Sequence, residues 1–288
     1  MYVMKIFWLW MMIILMGCTS RRQFNAETGD DAVLIHVLQH ECMRLLNDVQ
    51  RTVSEEFKIR GKYLQDTLRE YQKDTSALKN GLVRLKYLNL NFKGHKISGD
   101  LVIEQTGSLK WKERNAKLIV YFKALQIQNL VSGLQFNLNG TVELTNISGG
   151  TWFEVEYLNL SEMRYTVKSN ELNWQSGGGA AQNLNINMVV WRNYDSQRIG
   201  GLAETENNTK LQFWGKLPSG TDFFQRTLEE PVYRLNCDYH WVLGKTEIQR
   251  ANYDYSLITH YELTSSCATS YIIEWSRKQQ SHAISKNL

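Results

Sequence analysis

Residues 135–145 read Gln-Phe-Asn-Leu-Asn-Gly-Thr-Val-Glu-Leu-Thr, and this stretch decides the fold class. Its two halves, 135–138 and 141–145, alternate apolar and polar side chains, which is the period of a half-buried β-strand. Asn139-Gly140 between them is a typical turn sequence. The stretch therefore predicts consecutive antiparallel strands that turn one face toward a core.

The same pattern continues on both sides of this stretch. Residues 101–104 and 118–122 also have strand-like alternation, and the glycine-rich residues 175–181 are predicted to be a loop within the same domain. Nine tryptophans, fourteen tyrosines and only two prolines suit a strand-rich chain. We expect a mainly β fold over residues 81–276, an antiparallel meander forming a sandwich or a curved half-barrel. Further turns are predicted at Lys93-Gly94, Ser98-Gly99-Asp100, Thr106-Gly107 and Ser148-Gly149-Gly150.

The segment before the strands has a helical pattern. Apolar residues recur near helical spacing from Val33 to Tyr71, and Asp30-Asp31 suits a helix start. A helical segment is therefore predicted over residues 30–80, as one long helix or as two joined near Arg60-Gly61. Residues 277–288 are predicted to form a polar tail.

The N-terminus resembles an export signal. Lys5 precedes an apolar run over residues 6–16, which is too short to cross a hydrocarbon core that needs about twenty helical residues. Leu15-Met16-Gly17-Cys18 resembles the lipobox of bacterial lipoproteins. This resemblance implies a signal peptide at 1–17, lipid on Cys18 and a tether over 18–29. A secreted protein with an incidental cysteine is the alternative, and translation from Met1 or from Met4 stays open.

Lipid on Cys18 would hold the protein to a membrane without a spanning helix. The residues after it, Thr19-Ser20-Arg21-Arg22, lack the acidic cluster of surface-exported lipoproteins in Bacteroidota. We therefore expect an outer-membrane location facing the periplasm, with the cell surface as the alternative. The net charge of +4 is nearly balanced, with no basic stripe that would indicate a nucleic-acid partner.

The cysteines predict one disulfide. Cys237 and Cys267 lie in strand-like surroundings, and an oxidising compartment favours a bond between them. Cys42 lies in the helical pattern and is either a free thiol or a competitor for that bond.

Several motifs resemble an uncharacterised family of β-rich lipoproteins of Bacteroidota. They are residues 139–146 followed by 152–155, Trp174 before its glycine-rich segment, residues 235–248, and Tyr253-Asp254-Tyr255 followed by Cys267 and residues 272–275. The resemblance covers about residues 82–276 and departs after Cys267, where the family has an aspartate. It implies a lipidated β-domain without a known activity.

Two clusters are candidates for chemistry. His36 and His40 stand at i and i+4, the spacing of a helical zinc motif, but Gln39 stands where such a motif needs a glutamate as general base. Asp238 and His240 share one face of a predicted strand, as in ordinary amphipathic alternation. Nucleophile-elbow, phosphate-loop and dinucleotide motifs are absent from the sequence. We therefore assign no catalytic, cofactor or metal site.

The expected function is that of a non-catalytic binding or structural module of the cell envelope. Its partner would be a protein, a lipid or a glycan, bound through the sheet face or the helical segment. The alternative is an envelope hydrolase that acts on glycans. Aromatic residues that could line a binding groove are Trp152, Phe153, Tyr157, Trp174, Trp191, Tyr194, Phe213 and Trp214.

Overall fold

The computed structural model describes residues 30–54, 71–204, 210–234, 241–251, 253, 255–263, 269–277 and 280–287. The predicted fold class is confirmed, because one large antiparallel sheet follows an N-terminal helix, α1, over residues 30–54. A single sheet forms the body, so the described residues do not make a sandwich of two sheets.

The sheet contains fifteen described strands. A 3-10 turn at Leu78–Asn80 precedes β2, and a short helix, α2, spans Trp152–Tyr157. The strands are β1 Tyr71–Asp74, β2 Leu82–Phe92, β3 His95–Thr106, β4 Lys117–Asn129, β5 Gln135–Asn146, β6 Met163–Ser176, β7 Gln182–Arg192, β8 Ser196–Gly201, β9 Ala203–Glu204, β10 Lys210–Lys216, β11 Asp222–Arg234, β12 Trp241–Arg250, β13 Leu257–Leu263, β14 Thr269–Arg277 and β15 Gln280–Asn287.

The strands follow one another in chain order, with one local exception. Two short strands, β8 and β10, lie end to end between β7 and β11. β10 pairs with one half of β7 and β11, and β8 pairs with the other half. β9 pairs only with β10. The described sheet therefore has β1 and β15 at its two edges.

The sheet curves around helix α1. The His40 ring on α1 lies 6.0 Å from the His95 ring on β3 and 6.4 Å from the Tyr233 ring on β11. These two strands are six steps apart in the sheet order, which would be about 29 Å in a flat sheet. Because both reach the same side chain, the sheet must bend back on itself. Nearly every residue of α1 from Ala32 to Ser54 is buried, on its polar side as well as on its apolar side.

Aligned β-bulges supply part of this curvature. Asn89, Ala124 and Glu171 have positive φ angles of 57°, 49° and 63° on the alternate strands β2, β4 and β6. Each stands at a register shift, and a bulge bends its strand and increases the twist. Gly99 and Gly140 face the bulges from β3 and β5. A Cβ at Gly140 would lie 2.1 Å from the Glu171 carbonyl oxygen, and one at Gly99 would lie 2.6 Å from that of Ala124.

Two predicted turns are therefore wrong. Ser98-Gly99-Asp100 lies inside β3, and Asn139-Gly140 lies inside β5, so residues 135–145 form one strand and not two. The glycines are required by the close approach of the neighbouring bulge, and not by a reversal of the chain. The predicted turns at Lys93-Gly94, Thr106-Gly107 and 148–150 do connect elements.

Two boundaries also differ from the prediction. Tyr71–Asp74 of the predicted helical segment 30–80 is strand β1, paired with β2. Tyr71 is its only buried residue, and a single inward side chain fits a helical and a strand period equally well. The predicted polar tail, 277–288, contains strand β15, which hydrogen-bonds to β14 along its whole length. A polar sequence suits an edge strand, because one side of such a strand meets water.

No helix in the described part of the chain is long and apolar enough to cross a membrane.

Candidate functional site

The histidine pair of α1 lies in the core. His36 and His40 are both buried, and His36 Nδ1 lies 3.3 Å from the Tyr261 hydroxyl on β13. His40 packs between the rings of His95 and Tyr233. Among the residues that the structure describes, no group of three or more histidine, cysteine or acidic side chains could hold a metal ion. Both histidines contact side chains of the sheet, so the i, i+4 spacing places them in the packing between the helix and the sheet.

Glu41 forms the centre of a buried charged cluster beside these histidines. One carboxylate oxygen accepts a hydrogen bond of 3.0 Å from the Asn129 amide and lies 2.5 Å from His95 Nδ1. The other accepts a hydrogen bond of 3.1 Å from Arg44 Nε. Burial alone would raise the pKa of Glu41, but the nearby Arg44 and His95 hold it well below its ordinary value. The cluster joins α1 to β3 and β4 and is closed to solvent.

Cys42, next to Glu41, is a buried free thiol. Burial raises the pKa of this thiol, and the Glu41 carboxylate adds to the effect. Because the thiolate is the reactive form, Cys42 is chemically inert in the folded protein.

The other predicted site residues lie outside the described part of the chain: Cys18, Cys237, Asp238, His240 and Cys267. The strand ends around two of them are described. β11 ends before Cys237 and β12 begins after it, while β13 and β14 bracket Cys267 in the same way. Since β12 and β13 pair antiparallel, the two connections leave the same end of the sheet.

The predicted groove aromatics do not form one surface. Trp152, Trp174 and Phe213 are buried in the core, while Tyr157 on α2 and Tyr194 between β7 and β8 are exposed. Trp214 is half-buried on the outer face of β10. There it stands directly opposite Asn185 of β7 and Phe224 of β11.

The outer face of the sheet carries a patch of asparagine and glutamine side chains that the sequence analysis did not identify. On β4 to β7, below the bulges or beside them, every second residue is an asparagine or glutamine that points away from the core, while the residues between them are buried and apolar. We call these ten side chains the amide face. They are Gln126, Gln128, Gln135, Asn137, Asn139, Asn173, Gln175, Asn183, Asn185 and Asn187.

The strand register brings these amides together. Gln126 stands opposite Asn137, which stands opposite Gln175, and Asn173 links Asn139 to Asn183. Asn137 donates a hydrogen bond of 3.4 Å to Gln175, a long contact that leaves other donors and acceptors exposed. The result is a continuous, uncharged hydrogen-bonding surface across four strands.

At one end of the amide face, a cavity of about 290 Å³ lies on the outer face of the four neighbouring strands β2 to β5. Lys96 is the only charged residue in its lining, which contains no carboxylate, imidazole or thiol. The cavity therefore offers mainly hydrogen-bonding groups. Its lining residues are Asn89, Lys96, Ser98, Gln126, Ile127, Gln128, Gln135, Phe136, Asn137 and Gly177.

The outer face beyond the bulges has a different composition. There Lys117 pairs with Glu143 at 3.0 Å, and the Tyr121 hydroxyl donates a hydrogen bond of 2.6 Å to Glu104. Charged and aromatic residues of this kind are ordinary for a solvated sheet face. The bulges thus separate a charged half from the uncharged amide face.

The sequence analysis missed the amide face, although its signal is present in the sequence. Gln126-Ile127-Gln128 and residues 135–139, 173–175 and 183–187 all alternate an amide with an apolar residue. Asparagine is disfavoured in strands, so its use at outward positions is not explained by strand stability. Departures of this kind are expected at functional or strained positions.

Comparison of the chain with protein-family models, with curated proteins and with solved structures finds no match.

Proposed function

We propose that this protein is a lipid-anchored, non-catalytic binding protein of the cell envelope, and that the amide face is its binding surface. Cys18 carries the lipid in this proposal, and the folded part faces the periplasm from the outer membrane. Helix α1 is an internal support for the sheet, because its side chains are enclosed. Binding through the helical segment is therefore not part of the proposal.

The uniform amide composition is the observation that carries the proposal. Six of the ten positions are asparagine, which strands disfavour. Folding alone would be better served by threonine or valine at these places. A partner that is recognised by many neutral hydrogen bonds gives a reason to keep the amides.

The predicted disulfide fits the proposed compartment. The connections that contain Cys237 and Cys267 leave the same end of β12 and β13. Cys42 is buried beside Glu41, so it does not compete for either cysteine in the folded state. A bond between the two connections would suit an oxidising envelope.

Sedimentation with envelope fragments tests the binding surface. The full-length lipoprotein, purified in mild detergent, is mixed with lipid-extracted outer-membrane fragments and with murein sacculi, because lipid on Cys18 would insert into intact vesicles whatever the amide face does. Asn137→Lys places a cation in the centre of the amide face. Gln72→Lys is the matched control, because Gln72 is an exposed amide on β1, outside that face.

We expect the wild type and Gln72→Lys to sediment with one of the two fragments, and Asn137→Lys to remain mainly in the supernatant. Equal sedimentation of the two variants would refute the assignment of the binding surface. Failure of the wild type to bind either fragment would refute the proposed function itself.

A further inference from the structure

The chemistry of the amide face restricts what it can bind. Each carboxamide offers both donors and acceptors without a net charge. A phosphate-bearing or acidic ligand would require several cations, but Lys96 is the only charged residue that lines the cavity. A lipid tail would require an apolar surface. Sugar hydroxyls match the amides, since each hydroxyl is also both a donor and an acceptor.

An aromatic pair, half-buried at Trp214 and exposed at Phe224, borders the amide face. Trp214 on β10 stands directly opposite Phe224 on β11, and Asn185 of the amide face is its neighbour on β7. Phe224 is 39% exposed although it belongs to a strand that packs on the core. Flat rings of this kind offer an apolar surface next to hydrogen-bonding groups. A sugar ring, with one face made of C–H groups and a rim of hydroxyls, needs that combination.

We infer that the amide face binds an extended neutral glycan, with the β2–β5 cavity as one subsite and the Trp214–Phe224 pair as a stacking platform. This inference rests on the proposed function and adds the chemical class of the ligand.

The spacing of these two features sets the length of the ligand. β4, at the cavity, and β10, at the platform, are four steps apart in the sheet, which corresponds to about 19 Å across the strands. A single sugar ring would occupy only the cavity. The site therefore takes an oligosaccharide that runs across the strands.

Titration with defined oligosaccharides tests this inference. The full-length lipoprotein is kept in a detergent without a sugar head group, and is titrated by calorimetry with cellohexaose, maltohexaose, laminarihexaose and chitohexaose. An acidic oligogalacturonate serves as the charged comparison.

Two variants probe the site, and each has a matched control. Gln126→Glu changes an amide of the face to a carboxylate of the same shape, and Gln72→Glu makes the same change on β1. Phe224→Ala removes a ring of the platform, while Tyr194→Ala removes an exposed ring elsewhere. Circular dichroism checks that all four variants are folded.

We expect at least one neutral hexasaccharide to bind. Gln126→Glu and Phe224→Ala should each weaken that binding about fivefold or more, the effect of one lost hydrogen bond or ring contact. The two controls should bind like the wild type.

The inference is overturned if the site variants and their controls bind alike, if the acidic oligosaccharide binds more tightly, or if no neutral hexasaccharide binds. In the last case the sedimentation experiment separates the two claims. Envelope binding that still depends on Asn137 would leave the proposed function standing, with a ligand of another class. Loss of envelope binding as well would remove both.

Discussion

Replacement of Glu41 by glutamine tests whether the buried charged cluster fixes α1 inside the sheet. The Glu41 side chain has no solvent exposure, and it contacts Arg44, Asn129 and His95. Glutamine keeps the shape but removes the charge, and its amide turns one acceptor into a donor. Loss of one partner from a buried ion pair costs about 3–5 kcal/mol, because the other charge stays buried without compensation.

The assay is thermal unfolding of the full-length lipoprotein in detergent, followed by near-ultraviolet circular dichroism. A loss of that size lowers the melting temperature by roughly 6–20 °C for a chain of this length. Glu143→Gln is the matched control, because its ion pair with Lys117 is at the surface. It should cost less than about 1 kcal/mol.

The pH dependence gives a second check. The pKa of Glu41 in the folded protein lies below its ordinary value of 4.5. Its stabilising effect is therefore complete above about pH 4.5 and is lost as the pH falls toward the folded-state pKa. The gap in stability between the wild type and Glu41→Gln should narrow on acidification. A melting temperature for Glu41→Gln equal to that of Glu143→Gln would refute this account of the cluster.

Two further changes test the curved sheet and its core. Gly140→Ala should lower the free energy of unfolding by about 2–4 kcal/mol in thermal unfolding, because the new Cβ meets the Glu171 carbonyl and φ is +131°. Gly178→Ala, with open space around the new Cβ, should leave the stability unchanged. Equal effects of the two substitutions would contradict the bulge account. Cys42 should resist alkylation by iodoacetamide in the folded protein and react at once in denaturant, since burial raises the pKa of its thiol. Rapid labelling before denaturation would show that α1 is not enclosed.

The mainly β, antiparallel fold and the helical character of residues 30–54 could be predicted from periodicity, because both depend on neighbours in the sequence. The enclosure of α1 could not. The contact between Glu41 and Asn129 joins residues 88 positions apart, and a helical period indicates only one buried stripe. Glycine at position 140 favours a turn or a bulge equally, and only the positive φ of Glu171 on the adjacent strand decides between them.

The alternation of amides with apolar residues is readable in the sequence, but the sequence does not indicate that these amides form one surface. Alternation shows that the amides point away from the core, since Phe136 and Leu138 between them are apolar. Alternation does not show that the amides of four strands stand opposite one another. The pairing of Asn137 with Gln175, for example, depends on the register shift at the bulge between β5 and β6. The cavity depends on the same register and could not be predicted.

The lipid anchor is the premise on which the proposed location depends, and intact mass tests it directly. The protein is expressed in a lipoprotein-processing bacterium, with Cys18→Ser alongside, and is alkylated under non-reducing denaturing conditions. We expect cleavage before Cys18, acylation of that residue and one alkylated thiol, at Cys42. An unmodified Cys18, with Cys237 and Cys267 both alkylated, would contradict the envelope location.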